Sequence, residues 1–325
     1  MHAARAQASG RLHTVHMPWS ADDMPRLAGR RAIVTGANSG IGYATALALA
    51  LHGAAVTLAV RDAAKGEAAA ARMRELGAEQ VLVGSLDLAD LASVHTFADS
   101  WGHEHPEGLD LLINNAGVMA IPRAVTVDGF ERQLATNYLG HYALTGLLLP
   151  ALLAQPQSRV VSVSSNAHRT AKRIDFDDLM GARRYRAWGA YAQSKLAVLL
   201  FTNELQSRLH RIGSSTKAMA AHPGLSSTEL FSGVMHLRKV PIAGAAASAF
   251  GAMAGQPASM GALPTLFAAT SPDLHGDSYI GPDGPGQWRG HPTLVDRSDA
   301  ALDVKAAQRL WDVSEQLTGV RIPLD

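Results

Sequence analysis

The 325-residue sequence contains no cysteine. Disulfides, thiolate nucleophiles and cysteine-ligated zinc are excluded, and a reducing, cytoplasmic setting is expected. Net charge is nearly absent as well: 29 Lys and Arg against 28 Asp and Glu leave +1. No global field therefore points to nucleic acid or to an anionic membrane. Long apolar runs are also missing. Tyr142 to Leu153 is too short to span a bilayer and reads as a buried helix, so no integral membrane segment is expected. Met1 to His16 is polar, with no apolar run of signal-peptide length. Residues 1–28 are expected to form an extension, disordered at least to residue 16. The 14 histidines are scattered, none forming a His-x-x-x-His pair on an obvious site helix, and no metal site is expected.

What the sequence does have is a core and a rhythm. With 47% hydrophobic residues it can bury a sizeable interior, and short β-branched runs alternate with Ala/Leu-rich helices six times without a break. That pattern predicts a single α/β domain over 29–325, a doubly wound Rossmann fold whose mostly parallel sheet has seven strands and helices on both faces. Arg31 to Thr35 is the first strand, and Gly36-Ala37-Asn38-Ser39-Gly40-Ile41-Gly42 follows it into a helix. Strand, glycine-rich turn and helix form a phosphate-binding device, because glycines admit a pyrophosphate and the helix N-terminus supplies free N–H groups. Later strands end at Val60-Arg61-Asp62, at Asp87-Leu88 and at Asn114-Asn115-Ala116-Gly117. Open parallel sheets bind ligands beyond the carboxyl ends of their strands, so these residues fall on one rim. An acid after the second strand selects a ribose 2′-OH, whereas an arginine accommodates a 2′-phosphate. Asp62 is placed to cap the next helix, which leaves Arg61 and favours NADP, with NAD still open. The blander alternative for Arg61 is a solvated surface charge.

Asp128-Gly129-Phe130-Glu131 reads as a helix start, and the helix carries Asn137 within an apolar stripe. A buried mid-helix Asn requires a partner, either structural or near a site. Ser164 and Ser165 end the fifth strand, where a hydroxyl serves a substrate oxygen or caps a turn. A basic insertion over 166–188 leads to Tyr191-Ala192-Gln193-Ser194-Lys195. Tyr and Lys at i and i+4 share a helix face, and an ammonium there favours the phenolate, a proton-transfer device for a carbonyl or alcohol. His222-Pro223-Gly224 and then Thr228 follow the sixth strand, and a nearly uncharged stretch predicts an apolar substrate lid at about 229–256.

Together, Thr-Gly-x-x-x-Gly-x-Gly at 35–42, Asn-Asn-Ala-Gly at 114–117, Asn137, Ser165, Tyr191-x-x-x-Lys195 and His-Pro-Gly at 222–224 resemble the short-chain dehydrogenases/reductases. The long interval from Ser165 to Tyr191, with Val60-Arg61-Asp62 and Gln256-Pro257, is most similar to the retinol dehydrogenase-like and protochlorophyllide reductase-like branch. The resemblance implies an NAD(P)-dependent alcohol dehydrogenase or carbonyl reductase acting on a fairly apolar small molecule. It implies Tyr191 as proton donor and acceptor, and Lys195 as the residue that lowers its pKa and holds the nicotinamide ribose. Ser165 would orient the carbonyl and Asn137 would hold a relay water. Gly36, Ser39, Gly40 and Ile41 would line the pyrophosphate, Arg61 the ribose phosphate, and Asp87 and Leu88 the adenine. Asn115, Ala116 and Gly117 would border the cofactor, with Pro223, Gly224 and Thr228 on the nicotinamide side. It also implies a homodimer or homotetramer joined through the helices bearing Asn137 and Tyr191. Two alternatives compete: a nucleotide-binding regulator that does no chemistry, and an epimerase or dehydratase sharing Tyr-x-x-x-Lys. The presence of Asn, Ser, Tyr and Lys together argues against the first, and the apolar lid against the second.

Overall fold

Short apolar runs flanked by glycine and polar residues become buried strands wherever helices cover both sheet faces. Such runs supply β1 (Arg31–Thr35), β2 (Ala55–Val60), β4 (Leu111–Asn114), β5 (Arg159–Val163), β6 (Lys217–Ala221) and β7 (Tyr279–Pro282), in which every residue after the first is buried. At one edge, β3 (Val81–Ser85) is mostly uncovered. The structure, a computed structural model, describes residues 18–225 and 256–324. Strand order is β3-β2-β1-β4-β5-β6-β7-β8. All neighbours are parallel except the last pair. The chain reverses direction across the sheet between β1 and β4, the switch point where such sheets bind ligands. An eighth strand, β8 (Pro292–Leu294), adds to the seven expected. It runs antiparallel to β7, Gly281 opposite Thr293, and only three residues starting with proline gave no strand signal.

Helices α1 (Gly40–Leu51), α2 (Ala63–Glu75) and α6 (Ala258–Thr270) cover one face, around Leu49, Met73 and Leu266. On the other lie α3 (Leu91–Glu104), α4, α5 (Ala187–Arg211) and α7 (Val304–Thr318), around Phe97, Tyr142, Leu199 and Trp311. Helix α4 comprises Arg132–Leu134, a π-helical turn over Ala135–Leu139, and Gly140–Leu153. Its start corrects the expected one. Gly129 is left-handed (φ 83°), which no helix accepts, so Glu131 becomes the cap and accepts from Gln133 N and Leu134 N at 3.0 and 2.8 Å. Asp128 instead accepts from Leu91 N at 3.0 Å, at the start of α3.

Helix α7 packs across α4 and α5. Its Trp311 stacks on Phe201 at 5.8 Å, meets Tyr142 edge-on at 5.5 Å and lies under the Arg208 guanidinium at 4.4 Å. Ser314 Oγ bonds Tyr138 Oη at 2.7 Å. Beyond it, Val320 and Ile322 press on Gly146, where a Cβ would lie 2.8 Å from each. The C-terminal segment of the chain thus packs against α4 and α5.

Of the expected N-terminal extension, residues 18–28 pack on the body. Leu27 N donates to His52 O at 2.8 Å and Trp19 meets Phe267 edge-on at 5.1 Å. Residues to 16, Thr228 and the lid at 229–256 apart from its last residue lie outside the described residues. Among the described residues, no helix is long and apolar enough to cross a membrane.

Candidate active site

The β1–α1 turn is shaped by what its glycines avoid. Gly36 and Gly40 take left-handed φ values of 66° and 58°. At Gly42 a Cβ would sit 2.4 Å from the Gly36 carbonyl oxygen, so only glycine lets α1 approach the strand this closely. Ser39 precedes α1 without a side-chain capping bond. The leading N–H groups of a twelve-residue helix are left for a ligand, with the positive dipole end behind them. Thr35 ties this turn to its neighbour: its Oγ1 accepts from Asn115 N and Ala116 N, both at 2.9 Å, while Asn115 Nδ2 donates to Thr35 O at 2.8 Å.

These residues open onto a cavity of about 390 Å³ along the carboxyl ends of the strands. Gly36, Ser39, Gly40 and Ile41 line it, as do Arg61, Asp87 and Leu88, Asn115, Ala116 and Gly117, Ser165, Tyr191 and Lys195, and Pro223 and Gly224. Every described residue that the sequence singled out lines it except Asn137. The Asp62 carboxylate is committed to capping α2, where it accepts from Lys65 N at 3.1 Å. Arg61 lines the cavity without an ion pair among the described residues. Asp87 uses one oxygen on Ala89 N at 2.9 Å.

Asn137 is buried behind the cavity and fully engaged. Its Oδ1 accepts from Val118 N at 2.8 Å, and Nδ2 donates to Val118 O at 3.0 Å and to Ser194 Oγ at 2.8 Å. The side chain clamps the β4 loop to α5. Its backbone carbonyl, rather than its amide, is the group adjacent to His141 Nδ1, at 3.2 Å.

The two serines divide their work. Ser164 Oγ turns inward to Lys195 O at 2.8 Å. Ser165 caps the short helix Asn166–Thr170, its Oγ accepting from Ala167 N at 3.2 Å, and stays on the Tyr191 side. Burial pushes the Tyr191 phenol above its usual range, and a hydrogen bond with Ser165 pulls it partly back. The ammonium beside it does not reverse this. Lys195 Nζ lies 5.9 Å from the ring centroid and donates to Val163 O at 2.8 Å, and burial lowers its pKa to about 8. Burial therefore favours the protonated phenol, the form that donates a proton.

Several cavity residues escaped sequence reasoning. Trp188, one turn before Tyr191, carries a half-exposed ring 5.5 Å from the tyrosine's, and i,i+3 spacing from Tyr191 is the signal that finds it. Met119, Arg132, Thr136 and Leu225 also line the space, and Thr136 directly precedes Asn137.

A model of the short chain dehydrogenase family matches residues 30–236. Human retinol dehydrogenase 12 is 41% identical over 297 residues, 91% of this chain and 88% of the relative. Human retinol dehydrogenase 13 is 42% identical over 303 residues, covering 91% and 86%. Among solved structures, an uncharacterized protein from Mycobacterium paratuberculosis is 47% identical with a TM-score of 0.77, over 94% of this chain and all of that one. A Beutenbergia cavernae protein described as an NAD(P) dependent gluconate 5-dehydrogenase, with bound NADP, is 28% identical with a TM-score of 0.60, over 77% and 94%. A glycine turn at the switch point of a doubly wound sheet, facing Ser, Tyr and Lys on one rim, defines a dinucleotide-dependent oxidoreductase. The chain belongs to the short-chain dehydrogenase/reductase family, in its retinol dehydrogenase-like branch.

Proposed function

We propose that the chain is an NADP-dependent alcohol dehydrogenase or carbonyl reductase for an apolar small molecule of retinoid character. The observation that carries the cofactor choice is Arg61, without an ion pair among the described residues at the end of β2 while Asp62 is spent on its helix cap. A free guanidinium there favours a 2′-phosphate, and an unengaged carboxylate would have favoured a bare ribose. The uncapped start of α1 and the left-handed Gly36 and Gly40 suit the pyrophosphate. Asp87 and Leu88 fall where the adenine would lie, with Asn115, Ala116 and Gly117 along the cofactor and Pro223 and Gly224 toward the nicotinamide. When bound, a nicotinamide supplies or takes the hydride. The Tyr191 phenol gives its proton to the carbonyl oxygen in reduction, and its phenolate takes one from the alcohol in oxidation. Ser165 donates to the same oxygen, and Lys195 holds positive charge behind the phenol. Asn137 keeps the Val118 loop and α5 in register. Trp188 and Met119 supply an apolar wall beside the reacting group, and the retinol named for relatives at about 40% identity fits such a wall.

The test is NADPH and NADH oxidation with retinal, aliphatic aldehydes and aromatic ketones, wild type beside Arg61→Ala. The expected result is turnover of apolar carbonyls with NADPH preferred, that preference falling roughly tenfold or more in the variant. Equal use of both nucleotides by the wild type would overturn the NADP assignment. Failure to bind either would overturn the reading as a whole.

A further inference from the structure

His168 is fully buried three residues beyond Ser165 and plays no part in the chemistry above. Two contacts fix its protonation pattern. Ser298 N lies 3.3 Å from His168 Nε2, and a backbone N–H can only donate, so Nε2 carries a lone pair. In the neutral ring the proton then sits on Nδ1, which lies 2.7 Å from Ser165 O and donates to it. Burial lowers the His168 pKa to about 4, with Arg169 and Arg297 acting in the same direction, so the ring is neutral at physiological pH. Tyr279 packs edge-on against the ring at 5.7 Å. The Ser165 carbonyl thus receives two donors, His168 Nδ1 and His168 N at 3.1 Å. Because Ser165 Oγ accepts from Ala167 N, its O–H is left to donate on the cavity side, toward the Tyr191 phenol.

We propose that His168 is a positioning residue: its Nδ1–H holds the Ser165 carbonyl so that the Ser165 hydroxyl points at the reacting oxygen. Through Ser298 it couples that hydroxyl to the C-terminal segment. The same turn is tied to that segment by Asn166 Nδ2, 3.3 Å from Gly286 O and 3.4 Å from Gln287 O. The inference rests on Ser165 being the hydroxyl that orients the carbonyl.

The two amides imitate different ring nitrogens, and this gives the experiment. Asn at 168 places an N–H donor near the position of Nδ1, whereas Gln reaches toward Nε2 and abandons Ser165. Steady-state kinetics and NADPH affinity would be measured for H168N, H168Q, S165A and S165A/H168Q, alongside thermal melts. The expected result is a kcat roughly tenfold lower in H168Q, the scale of one hydrogen bond. H168N should stay near wild type and NADPH affinity should not change. In the S165A background H168Q should cost nothing more, a non-additivity that loss of stability would not produce. An undiminished H168Q loss in that background, or full kcat in H168Q while S165A is crippled, overturns the inference and leaves the role of Ser165 standing. Full activity in S165A overturns both. If H168Q does not fold, Ser298→Pro replaces it, because φ −72° suits proline and the change removes the N–H that fixes the tautomer together with a hydroxyl that has no partner among the described residues. Imidazole ¹⁵N shifts read that tautomer directly in the wild type, and protonation on Nε2 would also overturn the proposal.

Discussion

Burial, more than the neighbouring ammonium, governs the Tyr191 phenol. Tyr191→Phe removes the proton donor and leaves the cavity wall in place, so NADPH affinity should be unchanged. Turnover should fall by about 10²-fold or more, the usual scale of general acid catalysis. Equal turnover in stopped-flow assays would show that the proton comes from elsewhere. Lys195 has its own signature. Its folded pKa of about 8 lies below the usual lysine value of 10.5, so the ammonium is complete below that pH and is lost as pH rises through it. The ratio kcat/KM for NADPH, which reports the free enzyme, should therefore decline on the alkaline side near that pH. Lys195→Arg stays charged and should carry the plateau further up. A wild-type profile flat to pH 9.5 would contradict this. Tyr191 and Lys195 were legible in the sequence because helical spacing is local. The division between Ser164 and Ser165 was only partly so, since it depends on which hydroxyl meets Lys195 O. His168 was not legible, because its partner Ser298 lies 130 residues away.

At the scale of elements, β1 and the glycine turn behave as one device. The first seven strands were legible because each apolar run is short and bounded by turn residues. The shift of the α4 start to Glu131 was not, since the acid-Gly-x-acid pattern there satisfies two caps, one of them on α3. Two glycines test how tightly the nucleotide turn is built. Gly42→Ala would put its Cβ 2.4 Å from the Gly36 carbonyl and 2.5 Å from Asn115 Nδ2. It should abolish nucleotide binding or unfold the turn. Gly102→Ala, inside α3 with nothing within 4 Å, should instead stabilise the protein. The gain should be roughly 0.5–1 kcal/mol through lower unfolded-state entropy. Calorimetry with and without NADPH separates the two effects, and an intact nucleotide response in Gly42→Ala would refute the close-approach argument.

Across the whole molecule, two neutral histidines and the C-terminal segment hold the walls of the site together. His168 joins Ser165 to Ser298, and His222 Nε2 reaches Gln287 Oε1 at 3.1 Å while its Nδ1 accepts from Gly224 N at 3.3 Å. A third, His141, lies 2.9 Å from Thr35 Oγ1 at the heart of the β1–β4 junction. Burial lowers all three, to about 4, about 3 and about 3 from the ordinary histidine value of 6.5. Between those values the unfolded chain binds protons that the native chain refuses, so stability is complete above pH 6.5 and falls as pH drops below it. Each refused proton contributes up to about 1.4 kcal/mol per pH unit. Chemical denaturation at a series of pH values should show this decline beginning near pH 6, earlier than carboxylate titration alone would bring it. The test can be localised. His222→Gln keeps a neutral donor toward Gln287 but cannot be protonated, and it should remove one proton's share of the slope. An unchanged slope in that variant would mean that His222 carries a charge in the native protein. A charged ring there would be incompatible with the N–H that Gly224 donates to its Nδ1, and the clamp between the nicotinamide-side loop and the C-terminal segment would need a different construction.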